Sequence, residues 1–388
     1  MLQLVFGRSG YGKTEYIRNR IADKIDRGET HVLLITPEQY SFISEYSLLE
    51  QLGEARAHAV RCLSFSRLCD ECDRLYGADG RKPLTKGGKA ILMKTAIDQV
   101  RPDLELFEKK GSSAAFVQSM TGIYDEMKSC NLSGAAVYAA ADDLDTDILR
   151  CKMRDFSRIM TAYEALLGDR FADPANRLTR LYDQIKDQYY FAGQNVFLDG
   201  FNGFVAQEYK ILERIIAEAK AVYIALDSDS FGAGDGYDLF AYVNETAGIL
   251  QRIADKAGVP TNALQLGENC RTDYADLRRV EQYIFAAQAP ETEIPAEHIR
   301  LYAASTVTDA CNDLALQIKG LLRCGYRAGE IAVTMRDREK YAPVLASAFE
   351  KYGVPYYADE RQPVTAQPIL VFPMYLMRSV IYLSLIHI

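Results

Sequence analysis

The chain has 388 residues, a formal net charge of −8 at pH 7, 48% hydrophobic residues and 25% charged residues. This length has room for about two to three domains, and the composition is that of a globular protein rather than a disordered one. The acidic balance excludes a global attraction to nucleic acid or to an anionic membrane, although a local basic groove remains compatible with it.

The eight cysteines are irregularly spaced, and no signal-peptide pattern precedes the first apolar run. They are typical of reduced thiols in a cytoplasmic protein. Cys69 and Cys72 form an isolated C-x-x-C on a predicted helix, without a second pair or a nearby histidine. Packing is therefore favoured over a metal or redox role for this pair.

The apolar stretch Pro368–Ile388 is the candidate for a membrane segment. It reaches the length of a span only by including Pro373 and Arg378. A stretch interrupted in this way predicts a buried helix, with no membrane association.

The first elements form a βαβ opening. A strand at Leu2–Phe6, a Gly-rich turn and a helix to about Arg27 are followed by a strand at His31–Ile35. A helix at about 38–52 and a strand at Ala59–Leu63 come next. Such alternation is typical of a parallel sheet.

A helical region then interrupts this pattern. Between about residues 85 and 190 apolar residues recur at helical spacing and strand-like runs disappear, which predicts an all-helical insertion. Strands resume at Asn195–Asp199 and Ala221–Asp227. The first domain is accordingly predicted over 1–84 and 191–290, with the insertion at 85–190.

A second α/β pattern follows a Pro-rich, acidic linker at Gln288–Pro295. Its predicted strands are Ile299–Ala303 and Glu330–Met335, each followed by a helix. We expect an incomplete second domain over 296–388.

A phosphate-binding loop is the strongest motif. It matches G-x-x-x-x-G-K-[ST] at every fixed position and consists of Gly7, Arg8, Ser9, Gly10, Tyr11, Gly12, Lys13 and Thr14. Glycines let successive N–H groups turn toward phosphate oxygens, and the following helix presents its N-terminus to them. Lys13 would reach the β- and γ-phosphates and Thr14 would hold Mg²⁺, so the motif predicts binding of a nucleoside triphosphate, with ATP favoured.

Asp199 is the expected second ligand of Mg²⁺, because it ends an apolar strand. Many hydrolysing proteins have a water-activating glutamate next, but here Gly200 follows. Glu208 is a possible substitute, with a surface position as the favoured alternative. The second strand end, Asp227–Asp229, could be an ordinary turn. Binding is thus better supported than hydrolysis.

The ordered motifs resemble the AddB-type half of the AddAB complex, the bacterial ATP-dependent helicase/deoxyribonuclease. The segments that carry the resemblance are Gly7–Thr14, Thr36–Phe42, Val196–Phe201, Gln207–Glu208, Asp238–Phe240, Asn269–Arg271, Glu330–Arg336 and Gly353–Tyr357. The resemblance runs from the first residue to about Met377.

The resemblance implies an α/β, P-loop RecA-like fold of the superfamily-1 helicase type, with a helical insertion and the start of a second RecA-like domain. It also implies a degenerate helicase that handles single-stranded DNA and duplex ends and recognises a recombination hotspot, beside a second helicase–nuclease subunit in a heterodimer. The nuclease and an iron–sulfur cluster belong to a part farther along, and none of these cysteines matches a cluster ligand. Ser384–Ile388 do not resemble a natural terminus, so we expect a truncated frame.

Three further positions carry over by motif. Gln39 lies in the segment that faces single-stranded DNA in helicases, Arg271 matches an arginine that touches the γ-phosphate, and Arg336 is expected near an inter-domain cleft. For both arginines the alternative is an ordinary surface salt bridge. The nucleotide-sensing glutamine is absent from Ser228–Ser230, which argues, together with Gly200, against a strong motor.

DNA-contacting chemistry is weak in the residues themselves. Phe42, Tyr46, Phe65 and Arg67 are stacking candidates near strand ends, and for each a core or surface role is the favoured alternative. DNA binding therefore rests on the resemblance.

Three functions remain in competition. The first is an ATP- and DNA-binding helicase-like subunit of a complex that processes double-strand breaks for recombinational repair. The second is a non-hydrolysing scaffold that scans DNA. The third is a P-loop small-molecule kinase, which the helical insertion and the second α/β pattern disfavour.

Overall fold

The computed structural model describes residues 1–78, 80–110, 113–230, 239–286, 291, 293–358 and 367–382. The chain divides into two compact units, Met1–Ile294 and Pro295–Ile388. Asp238, half of the expected linker Gln288–Pro295 and the segment Ser384–Ile388 lie outside the described residues.

Strands and helices alternate through most of the first unit. The strands are β1 (Leu2–Gly7), β2 (Val32–Ile35), β3 (Val60–Leu63), β4 (Lys82–Pro83), β5 (Phe171–Ala172), β6 (Asn195–Leu198), β7 (Ala221–Asp227) and β8 (Thr261–Gln265). The helices of this unit are α1 (Lys13–Asp26), α2 (Ser41–Leu52), α3 (Glu54–Ala57), α4 (Phe65–Tyr76), α5 (Lys86–Val100), α6 (Ala114–Ser129), α7 (Gly134–Ala141), α8 (Asp147–Leu167), α9 (Arg177–Ile185), α10 (Ala206–Glu218), α11 (Ala241–Lys256) and α12 (Ala275–Tyr283).

The main sheet has six strands in the order β3-β2-β6-β7-β1-β8. Every neighbouring pair is parallel, so the predicted α/β class with a parallel sheet is confirmed. The strands β2, β6 and β7 are buried along almost their whole length. Their nearly continuous apolar sequences follow from burial on both faces of a parallel sheet.

Two apolar clusters cover the two faces of this sheet. One includes Ile17 and Ile21 of α1 together with Leu48 and Leu52 of α2. The other lies against α4, α9, α10 and α11. The sheet is therefore fixed between helical layers, and the loops at the carboxyl ends of its strands are held in defined positions.

The helices α5, α6 and α8 build a separate core. It contains large buried side chains, among them Met93, Met120, Tyr124, Phe156 and Tyr163. Ser113 and Ser133 cap the following helices α6 and α7 by accepting hydrogen bonds from backbone N–H groups, as serine commonly does at a helix start. The helical insertion thus has its own apolar interior.

This region differs from the expectation in two details. The two-residue strand β5 lies inside the segment that was predicted to be all-helical, and it pairs with β4, which precedes that segment. Helix α9 buries Leu181 and Ile185 in the core of the sheet rather than in the helical core. Apolar spacing alone cannot indicate which of two cores a helix joins.

Strand β8 was not predicted from the sequence. Its residues, Thr261–Gln265, form no apolar run, and the strand is only partly buried because it lies at an edge of the sheet. Pairing with β1 rather than hydrophobic patterning defines it.

The second unit contains α13 (Val307–Arg323), α14 (Arg338–Tyr352) and α15 (Pro368–Tyr382). Helices α13 and α14 share a small core that includes Ile318 and Phe349. The predicted strands Ile299–Ala303 and Glu330–Met335 are wrong for the described residues of this unit, which contain no strand. An apolar run becomes a strand only when a neighbour pairs with it, and Leu301 is almost fully exposed.

Helix α15 forms where an apolar helix was expected, but it is not buried. Ile369, Phe372 and Val380 are all largely exposed, which corrects the expectation of a buried helix. Of the helices that the structure describes, none combines the length and the apolar character needed to cross a membrane.

Candidate functional site

The carboxyl edge of the sheet brings together two predicted functional segments and the end of β7. Strand β7 lies between β1 and β6, and in its register with β1 Gly7 stands opposite Asp227. In the β6–β7 pairing Leu198 stands opposite Ile224, and Asp199 follows immediately. The Gly7–Thr14 loop and the carboxylates of Asp199 and Asp227 therefore lie at one edge, where open α/β sheets bind ligands.

The loop backbone depends on two glycines. Gly10 has a φ of 89° and Gly12 a φ of 79°, in the left-handed region that other residues rarely adopt. A Cβ added to Gly10 would also lie 3.0 Å from the Cβ of Arg271. Gly12 is the N-cap of α1, so no side chain caps the first-turn N–H groups of this helix. Such uncapped N–H groups and the positive end of the helix dipole favour an anion.

Lys13 is turned back onto its own loop. Its Nζ donates to the carbonyl oxygens of Gly7 and Arg8, at 2.7 and 2.9 Å. It also lies 2.5 Å from Oδ1 of Asp227. The ammonium thus has a carboxylate and two carbonyl oxygens around it, at the place where a bound phosphate would need its charge.

Asp199 lies near Thr14. Burial raises the pKa of Asp199, and the nearby carboxylate of Asp227 adds to the rise. The Thr14 side chain, the Gly200 backbone N–H and the charge of Lys13 are close enough to oppose it. A hydroxyl and a carboxylate close together near a helix N-terminus are oxygen ligands of the kind that Mg²⁺ takes beside phosphates.

Arg8 does not point along the loop but anchors it to α12. Its Nε donates to Oε1 of Glu281 at 2.7 Å, and its Nη2 donates to the Glu281 carbonyl oxygen at 2.6 Å. The guanidinium also lies 5.4 Å from the ring centre of Phe240 and 3.7 Å from Asp229. The Tyr11 hydroxyl donates to the same glutamate at 3.4 Å. Sequence reasoning missed Glu281, because nothing in its local pattern indicates a partner on the loop.

The segment after β8 also contacts the loop. Cys270 donates its backbone N–H to the Gly10 carbonyl oxygen at 2.8 Å. The Arg271 guanidinium donates to the Ser9 hydroxyl at 3.3 Å, and Asn269 accepts the backbone N–H of Arg271 at 2.9 Å. Arg271 is thus brought to the loop, as a phosphate-directed arginine would have to be.

Glu208, the possible substitute base, has a structural role at the start of α10. Its carboxylate accepts the backbone N–H of Val205 at 2.9 Å, a capping interaction that satisfies the first turn of the helix. Burial raises the pKa of Glu208, and this hydrogen bond partly opposes the rise.

The candidate DNA-contacting residues fall into two groups. Gln39 is exposed and Phe42 is 76% exposed, so both are accessible to a ligand. Phe65 is only 6% exposed and lies edge-on to Phe201 in the core. This packing leaves no free ring face for a base, which argues against Phe65 as a stacking residue.

Arg336 belongs to the second unit, where it is exposed. The predicted role of Arg336 concerns a cleft between the two units, and it stays a prediction.

The described residues contain no group of three or more His, Cys, Asp or Glu side chains that could hold a metal ion. Cys69 and Cys72 are buried in the core of the sheet, and burial raises the pKa of each thiol to about 12. Both are therefore protonated packing residues at neutral pH.

Comparison with known proteins gives a consistent result. The sequence profile of the family described as "ADDB, N-terminal" matches residues 4–281. Curated relatives are named as the B subunit of an ATP-dependent helicase/deoxyribonuclease. The one from Clostridium botulinum (strain Langeland) is 27% identical over 382 residues, which are 95% of this chain and 33% of that protein. The one from Clostridioides difficile (strain 630) is 28% identical over 382 residues, with the same coverage.

A third relative of the same name, from Thermoanaerobacter sp. (strain X514), is 25% identical over 378 residues, which are 96% of this chain and 33% of that protein. The chain spans about a third of the length of these curated relatives.

Proposed function

This chain belongs to the AddB N-terminal family, and on that premise we propose that it binds ATP with Mg²⁺ as the helicase-like part of a helicase–nuclease subunit. The observation that carries the proposal is the proximity of Lys13, Thr14 and Asp199 at the carboxyl edge of a parallel sheet. Lys13 would contact the β- and γ-phosphates, and Thr14 and Asp199 would hold Mg²⁺. The magnesium ion would neutralise phosphate charge.

We infer that the first unit has a RecA-like P-loop fold and that the second unit is the start of another such domain. A loop with two left-handed glycines after β1 and an acidic residue after β6 support the first inference. The second rests on family membership, since the described part of that unit has helices but no strand.

Two functions of the nucleotide site remain distinct. A motor would hydrolyse ATP while it moves on DNA, whereas a scaffold would bind ATP without turnover. The position after Asp199 is Gly200, and Glu208 is engaged in capping α10. These two features favour the scaffold among the alternatives.

The proposed biological setting follows the names of the relatives, which are parts of an ATP-dependent helicase/deoxyribonuclease. We propose that the chain acts in the cytoplasm on single-stranded DNA and duplex ends, as one half of a heterodimer with a second helicase–nuclease subunit. Gln39 and Phe42 would contact the single strand, and Arg271 the γ-phosphate. Family membership leaves little support for a small-molecule kinase.

Nucleotide binding tests the central claim. We expect Lys13→Ala to abolish ATP binding, measured by calorimetry with Mg²⁺ present, because it removes the cation at the phosphates. Lys94→Ala is the matched control, since Lys94 is an exposed lysine of α5 that forms an i,i+4 ion pair with Asp98. Binding that is unchanged by Lys13→Ala would overturn the assignment of the loop.

Turnover separates motor from scaffold. ATP hydrolysis should be followed with and without single-stranded DNA, for the parent chain and for Lys13→Ala. DNA-stimulated hydrolysis that the substitution removes would favour a motor, and ATP binding without turnover would favour the scaffold.

DNA contact is tested by Phe42→Ala. Stacking on an aromatic side chain contributes about 1–3 kcal/mol per base, so single-stranded DNA binding, followed by fluorescence anisotropy, should weaken about tenfold. Phe372→Ala changes a similarly exposed phenylalanine of the second unit and should have a smaller effect. Equal effects of the two substitutions would contradict the proposed role of Phe42.

A further inference from the structure

The Lys13 ammonium has its hydrogen-bonding capacity filled by the protein itself. A lysine ammonium has three N–H donors, and three oxygens surround this one. They are the Gly7 and Arg8 carbonyls, at 2.7 and 2.9 Å, and Oδ1 of Asp227, at 2.5 Å. The Lys13 side chain is only 10% exposed. A phosphate can therefore reach this cation only if one of the three contacts is given up.

Of the three contacts of Lys13, the one with Asp227 most resembles a contact with phosphate. The two carbonyl oxygens are neutral and belong to the loop of Lys13 itself, whereas Asp227 carries a full negative charge on another strand. A phosphate oxygen and a carboxylate oxygen compete for the same cation in the same way, by a charge-assisted hydrogen bond. The Asp227 side chain is 45% exposed, so it can turn toward solvent when a phosphate replaces it.

The turn behind Asp227 holds it at the loop. Ser228 is fully buried and bridges to Gly7. The Ser228 hydroxyl also hydrogen-bonds to Asn244 of α11 at 2.8 Å. This turn therefore fixes the backbone of Asp227 opposite Gly7 and leaves only the carboxylate free to rotate.

We propose that Asp227 is an internal competitor for nucleotide phosphate, which occupies Lys13 in the nucleotide-free protein and sets the affinity of the site. The proposal rests on the function inferred above, that the Gly7–Thr14 loop binds a nucleoside triphosphate. When phosphate binds, an ion pair between Lys13 and phosphate replaces the ion pair between Lys13 and Asp227. The net binding free energy that Lys13 contributes is therefore smaller than for a lysine without a carboxylate partner.

The test is ATP affinity of Asp227→Asn, measured by calorimetry both with Mg²⁺ and with EDTA. We expect affinity to rise by roughly tenfold in both conditions, the change that follows from losing a competing charge-assisted contact. Asp229→Asn is the matched control. It removes a carboxylate of similar exposure, 41%, that lies 3.7 Å from Arg8, and it should change affinity less than about twofold.

Three results would overturn the proposal. One is an unchanged affinity in Asp227→Asn. Another is an equal gain in Asp229→Asn, since general electrostatics would then account for the effect. The third is a loss of ATP affinity in Asp227→Asn that occurs with Mg²⁺ but not with EDTA, because Asp227 would then be a metal ligand rather than a competitor.

A second readout does not depend on nucleotide. Acetylation of Lys13 in the nucleotide-free protein, followed by mass spectrometry, should be faster in Asp227→Asn, because the amine is no longer held by the carboxylate. If neither protein binds ATP, the proposed function fails, and labelling alone decides whether Asp227 holds Lys13. An unchanged labelling rate would overturn that contact.

Discussion

The contact between Arg8 and Glu281 gives a prediction that links the loop to α12. The two side chains are 17% and 24% exposed, and their charged atoms are 2.7 Å apart. Exposed ion pairs contribute up to about 1 kcal/mol, whereas hydrogen bonds to charged groups shielded from water contribute about 1.5–3 kcal/mol. At this intermediate burial we expect a coupling free energy of about 2 kcal/mol between the two side chains.

A double-mutant cycle measures that coupling. Arg8→Ala, Glu281→Ala and the double variant are compared with the parent chain by urea unfolding followed by circular dichroism. Arg8 also donates to the backbone carbonyl oxygen of Glu281, at 2.6 Å. Glu281→Ala keeps this oxygen, so the bond does not contribute to the coupling free energy that the cycle measures. Arg8→Ala should also weaken ATP binding, since the loop loses its anchor.

The exposed pair Lys94–Asp98 in α5 serves as the control cycle, with an expected coupling of about 0.3–0.5 kcal/mol. A coupling between Arg8 and Glu281 no larger than this control, together with unchanged ATP affinity, would refute the idea that α12 anchors the loop.

Three other perturbations have expected outcomes. Because the pKa of Asp199 is raised, protons should displace Mg²⁺ at a higher pH than they would from an ordinary aspartate. Asp199→Asn should therefore abolish both the Mg²⁺-dependent part of ATP binding and the pH dependence of that part. Calorimetry from about pH 8 to about pH 5 measures both effects. Hydrogen bonds from Lys220 and Asn195 lower the pKa of Glu29 from 4.5 to about 2, so Glu29→Gln should destabilise the protein by about 2 kcal/mol at neutral pH. That difference should shrink in urea unfolding as the pH falls below the unfolded value of 4.5, and a constant difference would contradict it. Asp155 accepts backbone N–H groups of residues 105–107 at 2.8–3.1 Å, so Asp155→Ala should cost about 3–5 kcal/mol and speed hydrogen exchange there, whereas unchanged exchange would contradict this role.

The family and the fold class could be predicted from the sequence. The resemblance to the AddB family is confirmed by the match over residues 4–281, and the parallel α/β sheet is confirmed by its strand pairing. Both depend on signals that are local in the chain: apolar runs, helical spacing and motifs in a given order. The roles of Asp199, Arg271 and Arg336 stay predictions.

The errors have a common physical origin. Strand β8 has no apolar pattern, but β1 provides a hydrogen-bonding partner for it. The segment Ile299–Ala303 has the pattern of a strand, but no described neighbour pairs with it. Pairing depends on residues far away in the chain, and a local pattern contains no information about them.

The sequence by itself determined the G-x-x-x-x-G-K-[ST] motif, because its fixed residues Gly7, Gly12, Lys13 and Thr14 lie within one short segment. Only the tertiary structure decided what surrounds the loop. Asp227 reaches Lys13 because β7 pairs beside β1, and Glu281 reaches Arg8 from α12. These charges are more than two hundred residues from the loop, and folding alone brings them close enough to interact.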